Sequence, residues 1–442
     1  MSAREIAWSV LNRVDRDRAF ADLALNAELR ASRLEARERA LATELTYGTL
    51  RLRGRLDALL AQCIDEARRR PDLRVRNLLR LGAYQILRMS RIPDSAAVSE
   101  TVDLAKRGGL ERAAGFVNAI LRKLARAAAA DELRLPEFAA DPIAHLRDAC
   151  SLPEWLARRW LDQLGPEPAR ALAEACLKPP ARTVRVSAGV DREAVARRLG
   201  GRLCRYAPRG VTALRRVPVR DPGFARGEFT VQDEASQLVP LLLGVETGDT
   251  VVDCCAAPGS KTVQLAELVG PKGEVVALEL HRSRLPLIYR AALRLGLENL
   301  RILQRDVAQG FDLQGRLYFK RVLVDAPCSG LGTLQRNPDA RWRLEPGQID
   351  RWASRGLEIL SSAARYVEDG GVLVYSVCTH TSEETDRVIK RFLEERREFR
   401  LDDPRPWLPE PAAELVDEGL ALRTFPHRHG CDGFFAVRLV RG

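Results

Sequence analysis

Two cysteines, fifty residues apart, stand where this chain could do chemistry. Cys328 closes the run VLVDAPC and Cys378 the run VLVYSVC. Each run is rich in Val and Leu and reads as a buried parallel strand. Ligands of open α/β sheets bind beyond the carboxyl ends of such strands. Two thiols on one rim suit a reaction that needs a sulfur nucleophile and a second sulfur group beside it. Methylation of a pyrimidine at C5 is one. That carbon is a poor nucleophile until a thiolate adds at C6, which splits one hard step into easier ones. An acid must stabilise charge arising at N3, and a base must remove the C5 proton before the thiol leaves. Cys378, Cys328 and Asp325 are the candidates for these roles. Asp325 precedes Cys328 by three residues, with Pro327 stiffening the turn between them. A carboxylate there can accept hydrogen bonds from a cytosine edge, whose protonated and amino groups are donors. A free thiol is mostly protonated at neutral pH. The site is therefore expected to be electropositive, with Lys261 and a cofactor sulfonium contributing.

A cofactor loop stands upstream. Asp253 to Thr262, DCCAAPGSKT, bridges a strand and a helix, and Pro258 and Gly259 let the backbone turn tightly against a ligand. Glu279 ends the next strand, twenty residues after Gly259, the expected place for a group that binds ribose hydroxyls. Asp306 ends the third strand and is expected on the adenine side. A phosphate-binding Walker loop is excluded because Cys255 and Ser260 occupy both required glycine positions, and the dinucleotide pattern G-x-G-x-x-G is absent. S-adenosylmethionine has no pyrophosphate to cradle and tolerates a single glycine. The bland alternative is an ordinary turn between strand and helix.

The elements that must hold these residues fall into three segments. Residues 1–140 read as an all-helical bundle and linker. Ile6, Val10 and Val14 repeat at helical spacing, as do Val117, Ile120, Leu121 and Leu124. Residues 141–230 read as a linker helix, PEWLARRWLDQLG, and a small α+β unit. Its strand is TVRVS and its helix DREAVARRLGG. Residues 231–442 alternate strand and helix, the pattern of a doubly wound parallel sheet. The strands are TVVDCC, GEVVALEL, NLRILQRD, RVLVDAPC and GGVLVYSVC, a helix from about Gln348 to Tyr366 separates the last two, and ALRTFP and GFFAVRLV are expected to close an antiparallel edge. The chain is thus expected to be multidomain: all-α, small α+β, and α/β of the Rossmann type.

Charge follows the same division. The net charge is +11, but residues 1–140 carry 26 basic and 19 acidic side chains, residues 141–230 carry 17 and 10, and residues 231–442 carry 28 and 31. The basic excess lies wholly outside the last segment. Only seven of the 71 basic residues are lysine, and arginine suits forked contacts with phosphate. A nucleic-acid partner for the first two segments is one reading; solvated helix faces are the other. Nine scattered cysteines without a Cys-x-x-Cys pair argue against a disulfide framework and against zinc. Cys63, Cys150, Cys176 and Cys204 read as core packing, and Cys254 and Cys255 as packing beside the cofactor loop. His380 follows Cys378 closely enough to be a lesser catalytic candidate. With no apolar run of membrane-spanning length, a reducing cytoplasm is the expected compartment, with no metal.

DCCAAPGSKT, VLVDAPCSGLGTLQRNPDARW and VLVYSVCT together resemble the RNA cytosine-C5 methyltransferases, as do PEWLARRW, FTVQDEASQLVP and FPHRHGCDGFF in that order. YGTLRLRGRLD, LLRLGAYQILRM and GFVNAILRKL are similar to the transcription factor NusB. The combination resembles a bacterial family that methylates small-subunit ribosomal RNA. The resemblance implies transfer of a methyl group from S-adenosylmethionine to C5 of a cytosine in 16S rRNA, by a monomer. It makes Cys378 the nucleophile, Cys328 the aid to product release, and Asp325 the contact to the base. It assigns the cofactor to Cys255, Ala256, Ala257, Pro258, Gly259, Ser260 and Lys261, with acidic contacts from Glu279, Asp306 and Asp325. This chain departs from the usual family pattern at Ser260 (a glycine there), Glu279 (an aspartate) and Val377 (a threonine). The same chemistry on transfer RNA, and a non-catalytic RNA-binding factor, are the alternatives.

Overall fold

The computed structural model describes residues 1–65, 71–311 and 318–442. Contacts divide the chain into two units: residues 1–179 with 334–346, and residues 180–333 with 347–442. This differs from the three-segment reading. The break falls inside the middle segment, and a stretch of the last segment packs with the helices.

The first unit is helical. Ser2 and Glu5 form a reciprocal cap that starts α1 (Ala3–Asp17). α2 (Ala21–Ala31), α3 (Ala36–Ala61), α4 (Leu73–Arg88), α5 (Asp94–Arg107) and α6 (Glu111–Ala129) follow. Their apolar stripes, with Ile6, Val10, Leu45, Leu78, Val117 and Leu121 fully buried, form one core. Each such side chain contributes about 1.5–3 kcal/mol by leaving water. Arg80 is buried among them. It forks onto both oxygens of Asp57 at 2.7 Å and reaches Asp15 at 2.9 Å, so the charge is paired on two sides. The helices Glu154–Leu164 and Pro166–Ala175 complete this unit, together with residues 334–346. In that stretch Arg341 is fully buried and donates to the carbonyls of Ser151, Cys176 and Leu334, while the Trp342 indole donates to the Leu50 carbonyl at 2.8 Å.

The second unit holds two sheets. The small one, in the order β2-β3-β1-β4, is antiparallel: β1 (Val184–Val186), β2 (Arg202–Leu203), β3 (Gly210–Thr212) and β4 (Phe229–Val231). A helix over Arg192–Leu199 packs on it and ends at Gly200 in a left-handed turn. The large sheet has β5 (Thr250–Asp253), β6 (Glu274–Glu279), β7 (Leu300–Gln304), β8 (Phe319–Asp325) and β9 (Val367–Val377), all parallel. β10 (Phe399–Asp402), β11 (Ala421–Arg423) and β12 (Phe435–Arg441) add the antiparallel edge. The path runs β10-β12-β9-β8-β5-β6-β7. From β5 the chain goes outward to β6 and β7, then returns to place β8 on the other side of β5. That reversal opens a crevice at the carboxyl ends of β5 and β8. Val252, Val276, Val322, Val324 and Leu373 fill the sheet's interior, so the strand ends are held by a rigid platform.

Candidate active site

Five strand ends converge on one cleft of about 240 Å³, lined by Cys255, Glu279, Asp306, Asp325, Cys328 and Cys378 among others. The loop after β5 forms its floor. Asp253 is fully buried and accepts from the Thr262 hydroxyl at 2.7 Å and from the Cys255 amide at 3.4 Å. Burial pushes its carboxyl up to about 6. Gly259 has φ of +110°, and a Cβ there would come within 3.2 Å of the Ile288 backbone. Only glycine lets the loop lie this close to the next helix.

The acidic residues occupy distinct stations. Glu279 is buried and accepts from the His281 amide at 2.8 Å and the Ala257 amide at 3.3 Å. The longer Glu279 side chain thus ties the cofactor loop to the end of β6. Asp306 caps a short turn through the Ala308 amide and pairs with Arg355 at 2.6 Å. Asp325 accepts from Lys261 Nζ at 2.6 Å and from the Ser376 hydroxyl at 2.7 Å. Lys261 therefore serves Asp325. Its ammonium also lies 4.9 Å from the centre of the Phe434 ring. Its charge is engaged by a carboxylate on the same rim as the thiols.

Cys328 Sγ and Cys378 Sγ lie 3.5 Å apart. The Cys328 thiol is pushed up, first by its hydrogen bond with Cys378, then by burial and by the charge of Glu384. Cys328 thus holds its proton beside Cys378. The loops carrying the two cysteines also meet through backbone. The Gly332 amide donates to the Cys378 carbonyl at 3.0 Å, and a Cβ on Gly332 would lie 2.9 Å from that oxygen and 2.0 Å from the Gly433 carbonyl.

Some expected cofactor residues stand back from the cleft. Cys255 and Ala257 line it, whereas Ala256 packs against Ala277 and Ile288. Pro258, Gly259, Ser260 and Lys261 shape the turn and the Asp325 pair without lining it. Val377 is buried in the core cluster against which Cys328 packs. The hydroxyls beside the two cysteines belong to Ser376 and Thr379. His380 is half-buried and stacks on Phe425 at 4.6 Å. Burial lowers its titration to about 3, which leaves it neutral and structural. Sequence reasoning missed Arg284, Arg305 and Arg355, which line the cleft from outside the strand ends. Only the helical period of residues 348–366, which puts Arg355 on the same face as Ile359, could have pointed to one of them.

The arrangement fits a nucleoside-bearing ligand: a glycine-pinned loop and a carboxylate at each of two successive strand ends. Comparison with known proteins agrees. Residues 240–440 match the family model "16S rRNA methyltransferase RsmB/F", and residues 1–126 match that of the NusB family. The chain is 36% identical to ribosomal RNA small subunit methyltransferase B of Thermus thermophilus, over 99% of this chain and 97% of that one. It is 32% identical to the Escherichia coli protein of the same name, over 92% and 91%. The crystal structure of PH0851 superposes with a TM-score of 0.80 at 25% identity, covering 100% of this chain and 99% of that one. S-adenosylmethionine is the cofactor. With both halves matched and relatives aligned end to end, the chain belongs to the ribosomal RNA small subunit methyltransferase B family.

Proposed function

We propose that this S-adenosylmethionine-dependent ribosomal RNA methyltransferase modifies C5 of one cytosine in 16S rRNA through a covalent bond between Cys378 and C6. The observation that carries the reading is the pairing of two thiols at 3.5 Å, with Asp325 on the same rim. Cys378 supplies the sulfur that bonds C6, which makes C5 electron-rich. The cofactor, held by Glu279, Asp306, Cys255 and Ala257 where the loop from Cys255 to Lys261 reaches the cleft, supplies the methyl group. Asp325, fixed by Lys261 and Ser376, accepts hydrogen bonds from the polar edge of the base. Loss of the C5 proton to a base then breaks the C6–S bond and returns Cys378, with Cys328 assisting that release. Arginine-rich residues 1–140 and 141–230 hold the RNA by phosphate contacts, and a stacked target cytosine is flipped out before it reaches the cleft.

The test is bisulfite sequencing of 16S rRNA from cells with and without the gene. One cytosine that loses protection on deletion supports the reading. Unchanged protection throughout 16S rRNA, with a loss in transfer RNA instead, sinks the choice of substrate but not the chemistry.

A further inference from the structure

Each active-site cysteine is followed by a hydroxyl residue: Ser329 after Cys328 and Thr379 after Cys378. Both hydroxyls converge on one buried carboxylate, Glu384, which no step of the reaction above uses. Glu384 is 1% exposed. One of its oxygens accepts the Ser329 amide at 2.6 Å, and the other accepts the Ser329 hydroxyl at 2.6 Å, the Thr381 hydroxyl at 2.5 Å and the Thr379 hydroxyl at 3.3 Å. The Ser329 and Thr379 hydroxyls also meet each other at 2.9 Å. Glu384 lies at the entry of the helix Asp386–Glu395, and its own carbonyl accepts the Tyr375 hydroxyl from β9 at 2.8 Å.

A carboxylate out of water is costly unless its lone pairs are filled. Here three donors at 2.5–2.6 Å fill them, from Ser329 on one loop and Thr381 on the other, with Thr379 bridging, and the Gly332–Cys378 backbone bond joins the same two loops. A network in which every member is satisfied is rigid, because moving either loop leaves part of a buried charge unpaired. On the basis of this geometry, we propose that Glu384 is the positioning residue of the active site: it staples the Cys328 loop to the Cys378 loop and so sets the spacing of the two thiols. It is not among the residues that line the cleft. This rests on the two-cysteine reading above, but the spacing itself is measurable without any RNA.

The experiment uses the full-length protein and two readouts. The first is thiol proximity. Diamide takes two electrons and two protons from Cys328 and Cys378, becomes the hydrazine, and leaves a disulfide that peptide mass spectrometry counts. The second is single-turnover methylation of 16S rRNA, with S-adenosylmethionine affinity measured alongside by calorimetry. In Glu384→Ala the disulfide is expected to form at least tenfold more slowly, and methylation to fall by about 100-fold, the order lost when a reacting group is misplaced by an ångström. Cofactor affinity should stay within about twofold, since the pocket's own side chains are untouched. Glu384→Gln keeps the shape and one carbonyl acceptor and should recover most of both rates. The double variant Ser329→Ala/Thr381→Val removes the two short hydroxyl arms of the staple, leaves the Ser329 amide in place, and should give part of the Glu384→Ala losses. Wild-type cross-linking in Glu384→Ala overturns the proposal. Should that variant not fold, wild-type cross-linking in the double variant does the same. Methylation that is absent even in wild type, with cross-linking still dependent on Glu384, refutes the proposed function and leaves the staple standing.

Discussion

Cys328 and Cys378 sit at the ends of neighbouring parallel strands, and their sulfur atoms are 3.5 Å apart. That contact and burial push the Cys328 thiol up, and the proposed chemistry gives the two sulfurs different tasks. Cys378→Ala is expected to abolish methylation and to form no RNA adduct. Cys328→Ala should instead accumulate a protein–RNA adduct that survives denaturing electrophoresis. Full turnover by Cys378→Ala would end its assignment as nucleophile.

The pair of hydrogen bonds on Asp325 predicts graded losses. Asp325→Asn exchanges an acceptor-only group for an amide and should lower kcat by roughly 10²–10⁴-fold, the range of a lost acid–base partner. Ser376→Ala removes a single hydrogen bond to a charged group, at about 1.5–3 kcal/mol, so kcat should fall by roughly ten- to a hundredfold. Single-turnover rates with saturating cofactor separate the two. Equal losses would mean that Ser376 does more than orient Asp325.

Arg355 holds Asp306 at 2.6 Å on the cofactor side of the cleft. Arg355→Ala frees that carboxylate to rotate. The expected result is S-adenosylmethionine binding weakened by about tenfold in calorimetry, a loss of about 1.4 kcal/mol. The rate at saturating cofactor should change little.

His380 predicts an acid-labile fold. Its titration, about 3 in the folded protein, lies below the ordinary 6.5, from burial first and then from the nearby His427 and Arg423 charges. As pH falls through 6.5 the unfolded chain takes up a proton that the folded chain refuses. Stability is therefore fully present above 6.5 and is lost toward pH 3, by up to about 1.4 kcal/mol per pH unit. His380→Phe keeps the stack on Phe425 and removes the titration. Denaturant melts between pH 7 and pH 4 should show a shallower decline for the variant. Parallel declines would exclude His380 as a source of acid sensitivity.

Much of the sheet unit was legible because buried parallel strands announce themselves. The runs containing Val322, Val324, Leu373 and Val374 are apolar on both faces and lead straight to Asp325 and Cys378. The antiparallel closure by β11 and β12 was expected from ALRTFP and GFFAVRLV, two short apolar runs at the tail. β10 was not, because Phe399–Asp402 carries two charged residues in four. Its place is set by pairing with β12 rather than by its own composition. The roles of Lys261 and Glu384 were also hidden. Each depends on which carboxylate or hydroxyl lies across a loop from it, and linear spacing does not record that. No helix among the described residues is long and apolar enough to cross a membrane.

Residues 334–346 pack with the helical unit, although both of their neighbours in sequence belong to the sheet unit. The chain thus passes between the units three times. A gene cut once at codon 180 does not release an intact methyltransferase half. It strips the partners from Arg341, whose guanidinium is bonded to Ser151 and Cys176, and from Trp342, bonded to Leu50. The two halves therefore part only with the loss of those bonds. Shuffling either one onto another protein would require rebuilding this thirteen-residue insertion as well.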